Sequence, residues 1–295
     1  MTVVEVSNLT KRYGPVTALD DVSLTIEQDS ITGILGRNGA GKTVLMSILT
    51  AQEAPTSGTV RVFGENPREN AGVLSRTCFV RDNQKYPDEF KLRHILNAGP
   101  LFYPHWDAEL AERIVAEFRL PGDRVIRKMS RGQLSAVGLL IGMASRAPLT
   151  FFDEPYLGLD ATARTVFYDM LLADYAEHPR TILISTHLID EMESLLEYCV
   201  LLDRGRVLKR GPVDDLRAGG WELTGVWTEL EPVLSGRNVL RVKRMGAVGM
   251  AIVEGGADLA DEARAAGLSA SPAGLHELVA AYGMGPRAEP VEVAR

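Results

Sequence analysis

The run Gly36-Arg37-Asn38-Gly39-Ala40-Gly41-Lys42-Thr43 stands between an apolar, strand-like segment, Ile31 to Leu35, and a helix-like segment that begins at Val44. Gly, four residues, then Gly-Lys-Thr is a spacing at which successive backbone N–H groups can face one polyphosphate, because glycine removes the Cβ that would block the approach. The helix that follows adds its dipole and its unpaired N–H groups at the same point. Lys42 then supplies a point charge to the β and γ phosphates, and the Thr43 hydroxyl is placed to ligate the Mg²⁺ that bridges them. A glycine-rich turn that binds nothing would leave Lys42 unexplained. Placement between strand and helix is the context that such a loop requires.

At 295 residues the chain has room for one large domain and a small one. Its net charge of -7 argues against a nucleic-acid groove as its main surface, because phosphate contacts need a clustered positive field. Cys78 and Cys199 lie in apolar, strand-like runs without CxxC spacing and read as buried thiols in a reducing compartment. No segment approaches the roughly 18 consecutive apolar residues of a membrane span. The opening residues lack the pattern of a signal peptide, since Lys11 and Arg12 follow the short apolar start instead of preceding it. The chain is expected to be cytosolic as synthesised, with any membrane role supplied by a partner.

Strand candidates dominate the first part, at Val3 to Val6, Val22 to Ile26, Ile31 to Leu35 and Thr59 to Phe63. From Asp107 to Phe118, Leu110, Ile114 and Phe118 recur at helical spacing behind a plausible Asp107 N-cap, which predicts a core-facing helix. Apolar strands resume at Leu149 to Phe152, Thr181 to Ser185 and Cys199 to Asp203, separated by helical segments, the signature of a parallel sheet with crossover helices. The phosphate loop is thus expected at the edge of an α/β core. Arg204-Gly205 reads as a hairpin turn, and Gly211-Pro212 marks a boundary. From Trp221 the texture changes to strands at Val239 to Lys243 and Val248 to Val253, with helices predicted at Leu259 to Ala266 and Ala273 to Tyr282.

A phosphate loop needs an acidic element on a neighbouring strand, and Leu149-Thr150-Phe151-Phe152-Asp153-Glu154 delivers two carboxylates at the end of an apolar run. Asp153 is placed to hold Mg²⁺, directly or through water. Glu154 projects differently and can act as general base on a water lined up on the γ-phosphate.

Upstream of these acids, Met129-Ser130-Arg131-Gly132-Gln133 resembles the signature motif of ATP-binding cassette (ABC) ATPases. In that family the motif precedes a helix and reaches across a dimer to the γ-phosphate held by the opposite phosphate loop. Ser130, Gly132 and Gln133 match its pattern; Met129 and Arg131 depart from the commonest Leu-Ser-Gly-Gly-Gln form, Arg131 at the first glycine of the pair. Three further matches follow the family's order. Tyr13 corresponds to the aromatic residue that stacks on adenine. Leu157-Gly158-Leu159-Asp160 resembles the loop that links the two active sites, and His187 ends its strand where the family's histidine contacts the γ-phosphate. The remaining histidines, His94, His105, His178 and His276, have no metal-ligand spacing. For the family's Mg²⁺-watching glutamine, a count from the strand Thr77 to Val80 arrives at Asp82, with Gln84 two residues on; Gln84 is preferred. Tyr86 to Phe90 and the helical insert to Arg127 occupy the region that in relatives docks a membrane subunit.

The resemblance covers about Val3 to Leu216. It implies an α/β fold: a P-loop NTPase core with an antiparallel β subdomain and a helical subdomain, plus a small C-terminal α/β appendage. The expected division is an ATP-binding domain over 1–216, with the helical subdomain at about 84–145, an accessory domain over 221–283 and a disordered tail over 284–295. The implied activity is ATP hydrolysis coupled to transport, with ATP and Mg²⁺ as cofactors. Glu154 and His187 are the expected catalytic residues. Gly36 to Val44, Tyr13, Gln84, Ser130, Gly132, Gln133 and Asp153 are expected to bind the nucleotide, and Thr43, Asp153 and Gln84 the metal. Two cassettes, identical or paralogous, would sandwich two nucleotides and drive a separate transmembrane permease, holding the chain at the inner face of the membrane. The wording around Ser185 to Glu191 and Asp203 to Gly205 looks most like bacterial export ATPases of the drug-resistance type. A soluble cassette ATPase acting on ribosomes or DNA is the alternative. It would be expected to carry two cassettes on a charged linker, or a long coiled-coil insert, and neither pattern is read here. A small-molecule kinase leaves Ser130 to Gln133 and His187 without a purpose.

Overall fold

The computed structural model describes residues 1–82 and 84–284, and these divide into two units. The first comprises Met1–His187 and Ser194–Val207, the second Leu188–Glu193 and everything described from Leu208 onward. The expected tail from 285 onward lies outside the described residues, while Met284 closes the last helix.

The first unit opens with two long strands, β1 (Thr2–Tyr13) and β2 (Val16–Glu27), that run well beyond the short apolar cores visible in the sequence. β1 carries several register shifts against β2 and alternates buried Val4, Val6 and Leu9 with outward polar residues. Then come β3 (Ile31–Leu35), α1 (Lys42–Leu49), β4 (Ser57–Val62), α2 (Ala71–Leu74) and β5 (Thr77–Val80). β2, β1 and β4 form an antiparallel sheet in that order. Three longer helices follow: α3 (Leu92–Phe102), α4 (Ala108–Glu117) and α5 (Arg131–Ala144). Asp107 caps α4 by accepting a 2.8 Å hydrogen bond from Leu110 N–H, and Leu110, Ala111 and Ile114 are buried beneath it. β6 (Leu149–Asp153), α6 (Ala161–Glu177), β7 (Thr181–Thr186), α7 (Ile189–Met192), β8 (Tyr198–Asp203) and β9 (Arg206–Pro212) complete the core sequence, α7 belonging to the second unit.

The second sheet has the order β5-β6-β7-β3-β8-β9, parallel from β5 through β8. β3, β6 and β7 are wholly buried, which is why they read as continuous apolar runs instead of alternating ones. The loop after β3 lies at the carboxyl edge of the sheet although β3 itself is an inner strand. Register is the useful consequence: Asp153 pairs with Ser185 and Leu35 with Thr186, so three adjacent strands deliver their C-terminal ends side by side. Both cysteines are buried, Cys78 on β5 and Cys199 on β8, and burial pushes the Cys199 thiol up to about 12. Among the described residues no helix is long and apolar enough to cross a membrane.

A buried ion cluster ties the far side of this unit together. Asp174 on α6, 4% exposed, meets Arg180 at 2.8 Å and Arg146 at 2.9 Å, and Arg146 also reaches Asp107 at 2.7 Å. Removing one partner of such a cluster strands a buried charge, which costs about 3 to 5 kcal/mol. Asp174→Ala is therefore expected to lower the unfolding free energy of the first unit by about 3 kcal/mol. Urea denaturation checks this, and a change below about 1 kcal/mol would show the cluster to be incidental.

In the second unit the chain continues through α8 (Val213–Ala218), β10 (Gly220–Val226), α9 (Trp227–Leu234), β11 (Val239–Met245), β12 (Val248–Glu254), α10 (Ala257–Ala265), β13 (Ser269–Pro272) and α11 (Leu275–Met284). The antiparallel sheet runs β11-β12-β10-β13. A βαββαβ path from β10 to β13 with that order is the split-βαβ arrangement. β12 alternates accordingly: Ala251 and Val253 join a core with Leu230 of α9 and Leu259 of α10, whereas Ile252 packs with Leu278 and Ala281 of α11.

Candidate functional site

The phosphate loop folds as its glycines dictate. Gly41 caps α1 at φ 106°, a conformation L side chains rarely adopt, and a Cβ there would also meet Ala18 O at 2.8 Å. Lys42, 6% exposed, turns back over the loop, donating to the Gly36 carbonyl at 2.8 Å and the Arg37 carbonyl at 3.4 Å. Its ammonium lies 3.2 Å from Glu154 Oε1. Thr43 Oγ1 donates to Asp153 Oδ2 at 2.7 Å, and Ser185 Oγ donates to the other oxygen, Oδ1, at 2.6 Å. Asp153, 4% exposed, thus has both oxygens engaged by hydroxyls.

Glu154 sits at φ 50°, a left-handed conformation uncommon for a non-glycine and of the kind that clusters at functional sites. Its N–H donates to Ser185 Oγ at 2.9 Å, which fixes the backbone that aims the carboxylate. Oε2 lies 2.7 Å from His187 Nδ1 and accepts a hydrogen bond from the Tyr156 hydroxyl. Tyr156 was indicated by no motif. The cue available in the sequence is an aromatic hydroxyl between Glu154-Pro155 and Leu157-Gly158, and its partners become apparent only in the fold.

A cavity of about 1210 Å³ opens over these groups, lined by the loop from Asn38 to Val44 and by Asp153, Glu154 and His187. Asp82 and Gln84 both line it; Asp82 is engaged by Arg131 at 3.6 Å. Gly36 and Arg37 contribute carbonyls to Lys42 and do not face the cavity. Tyr13 is not among the lining residues. Its hydroxyl donates to Glu53, the Lys11 ammonium stands 4.7 Å from its ring centre, and burial followed by the Glu53 contact pushes the phenol up to about 12. Val16, Thr17 and Ala18, just beyond the β1–β2 turn, line the cavity instead.

Ser130, Gly132 and Gln133 stand at the start of α5 and are not lining residues of this cavity. Ser130 Oγ accepts from Gln133 N–H at 3.3 Å while Gln133 Oε1 accepts from Ser130 N–H at 3.1 Å, a reciprocal capping box. Gly132 abuts the Leu157 to Asp160 loop so closely that a Cβ would lie 2.7 Å from Gly158 O. The Arg131 side chain, 66% exposed, reaches Asp82 and itself lines the cavity.

A glycine-rich loop capping a helix, with its lysine and threonine facing two strand-end carboxylates, defines a P-loop nucleotide triphosphatase. The comparisons specify the class. Residues 19–157 match the ABC transporter family. The chain is 26% identical to the ABC transporter ATP-binding protein YtrB of Bacillus subtilis over 73% of this chain and 74% of that protein. It is 28% identical to the daunorubicin/doxorubicin resistance ATP-binding protein DrrA of Streptomyces peucetius over 73% and 67%. A solved ATP-binding subunit of an ABC transporter superposes with a TM-score of 0.65 at 25% identity, covering 73% of this chain and 92% of that one. Residues 19–157 thus carry an ATP-hydrolysing cassette domain of the ABC transporter type.

Proposed function

We propose that this protein is the motor subunit of a bacterial exporter, in which two cassettes close over two ATP molecules and reopen on hydrolysis. The observation that carries the reading is the meeting, in one cavity, of a phosphate clamp, a metal-binding oxygen pair and a base. Lys42 and the N–H groups of the loop hold the β and γ phosphates. Thr43 Oγ1 and Asp153 Oδ2, 2.7 Å apart, are hard oxygen donors of the kind Mg²⁺ takes, with phosphate and water completing its shell. Bound there, Mg²⁺ would offset charge on the phosphates; Gln84 is the residue we assign to monitor it. Glu154 accepts the proton of the attacking water, and His187 contacts the γ-phosphate. Ser130, Gly132 and Gln133 act on the partner cassette's nucleotide.

The permease is a separate polypeptide, and it holds this protein at the inner face of the membrane. Its docking place is an apolar groove of about 540 Å³ along α3, lined by Pro87, Phe90, His94, Ala98 and Leu101. Leu101 and Phe102 are 84% and 72% exposed there, more apolar surface than an isolated helix end leaves to water without a reason. Affinity capture of the full chain from detergent-solubilised membranes of its host, read by mass spectrometry, tests the assignment. An integral membrane protein with several spans is the expected companion. Recovery of ribosomes or DNA in its place would overturn the transport reading.

A further inference from the structure

Four polar atoms converge on the single hydroxyl of Tyr156, a residue 2% exposed. Thr186 Oγ1 donates to it at 3.0 Å and the His187 backbone N–H at 2.9 Å. A phenol oxygen has two lone pairs and one hydrogen, so these donors fill its accepting capacity and leave its hydrogen for Glu154 Oε2. His187 Nδ1, 3.1 Å from the phenol oxygen, then finds its acceptor in Glu154 Oε2 at 2.7 Å. The hydroxyl therefore ties the end of β7 to the turn after β6. A tyrosine serving only as core filler would need one partner for its oxygen, not a junction of two strand ends.

The two oxygens of Glu154 are consequently unequal. Oε2 is held by Tyr156 and His187. Oε1 is buried without a hydrogen-bond partner among the described residues, and the Lys42 ammonium 3.2 Å away is its ion-pair partner. Such an oxygen is a strong acceptor once Lys42 engages phosphate. Burial, reinforced by the bond to Glu154, drives the phenol well above its ordinary range, so Tyr156 stays a donor wherever the protein is folded.

We infer that Tyr156 is a positioning residue of the ATPase site, whose hydroxyl pins Glu154 Oε2 to the end of β7 and so presents Oε1 as the oxygen that takes the proton from the attacking water. The inference rests on the reading of Glu154 as general base. In the step it serves, the water oxygen forms a bond to the γ-phosphorus, its proton passes to Oε1, and the bond from the γ-phosphorus to the bridging oxygen breaks to release ADP.

Tyr156→Phe keeps the ring and removes the hydroxyl. Its kcat for ATP hydrolysis is expected to fall about 10- to 100-fold, the scale of one hydrogen bond to a charged group, with KM within about twofold. The decisive comparison is the double variant, followed by single-turnover phosphate release: on top of Glu154→Gln, Tyr156→Phe should cost less than about twofold, because the tie has lost the carboxylate it positions. Equal proportional losses in both backgrounds would show that Tyr156 acts only through packing and would overturn the inference. So would a Tyr156→Phe enzyme with wild-type kcat beside an inactive Glu154→Gln enzyme. A fully active Glu154→Gln enzyme would instead remove the base reading itself. Should Tyr156→Phe not fold, Thr186→Val, which deletes one donor to the same hydroxyl, is expected to lower kcat several-fold at unchanged KM, and an unchanged kcat there would sink the proposal equally.

Discussion

Glu154→Gln is expected to reduce ATP turnover at least about 100-fold while leaving nucleotide affinity nearly intact, because it removes a proton acceptor without removing a phosphate contact. Gln occupies the same volume, and its amide oxygen can still face the Lys42 ammonium that lies 3.2 Å from Oε1. The Tyr156 and His187 side also has to adapt, since the amide nitrogen donates where Oε2 accepted. With the γ-phosphate uncleaved, the closed sandwich has no route to reopening. ATP should therefore convert the variant to a species of twice the mass in size-exclusion chromatography with light scattering, and ADP should not. A variant that releases phosphate at the wild-type rate would remove Glu154 as the base. Normal ATP binding, slow hydrolysis and no dimer would instead spare the base and count against the sandwich.

The parts of this site legible in the sequence are those built from adjacent residues. Gly36 to Thr43 is one continuous turn, and Asp153-Glu154 ends one apolar strand; local spacing carries the chemistry in both. His187 was legible for the same reason, as the residue after a buried strand. What the spacing could not express is which oxygen of Glu154 is held. That depends on the pairing of Asp153 with Ser185 across β6 and β7, which brings residues some thirty positions apart to one hydroxyl. Ser130 and Gln133 carried a second message in plain view: Ser-x-x-Gln is also a helix-starting pattern, and the structure uses it as one.

The same distinction holds for the fold. Buried parallel strands announce themselves as apolar runs, but β10 does not, although it lies inside the second unit's sheet. Gly220 and Gly225 interrupt its pattern, and leucine side chains pack against both: a Cβ at Gly225 would lie 2.4 Å from Leu268 Cδ2, and one at Gly220 2.3 Å from Leu278 Cδ2. The space glycine leaves there is filled by residues more than forty positions away. α9 was masked in turn by Pro232, which the helix accommodates in its second turn while Leu230 and Val233 supply the buried face.

Lys42→Ala should fail at the step that Glu154→Gln spares. The ammonium is 6% exposed and held by two loop carbonyls, so it is already aimed when nucleotide arrives and no side-chain ordering opposes binding. A charged hydrogen bond of this kind is worth about 1.5 to 3 kcal/mol, which corresponds to an ATP Kd raised about 10- to 100-fold. Turnover should fall by a further two to three orders of magnitude, roughly the loss seen when a preorganised charge is removed from a developing anion. The deletion has a second effect within the protein, because Glu154 Oε1 loses its ion-pair partner. Lys42→Arg restores the charge but not the fit: a planar fork cannot direct one compact ammonium at the Gly36 carbonyl and a phosphate together, so little rescue is expected. ATP titration by calorimetry separates these terms from the rate. Wild-type turnover in Lys42→Ala would mean that the loop does not hold the reacting phosphate. Weakened binding with normal turnover at saturating ATP would confine Lys42 to capture and leave the transition state to Glu154, His187 and the hydrogen-bonded Thr43–Asp153 pair.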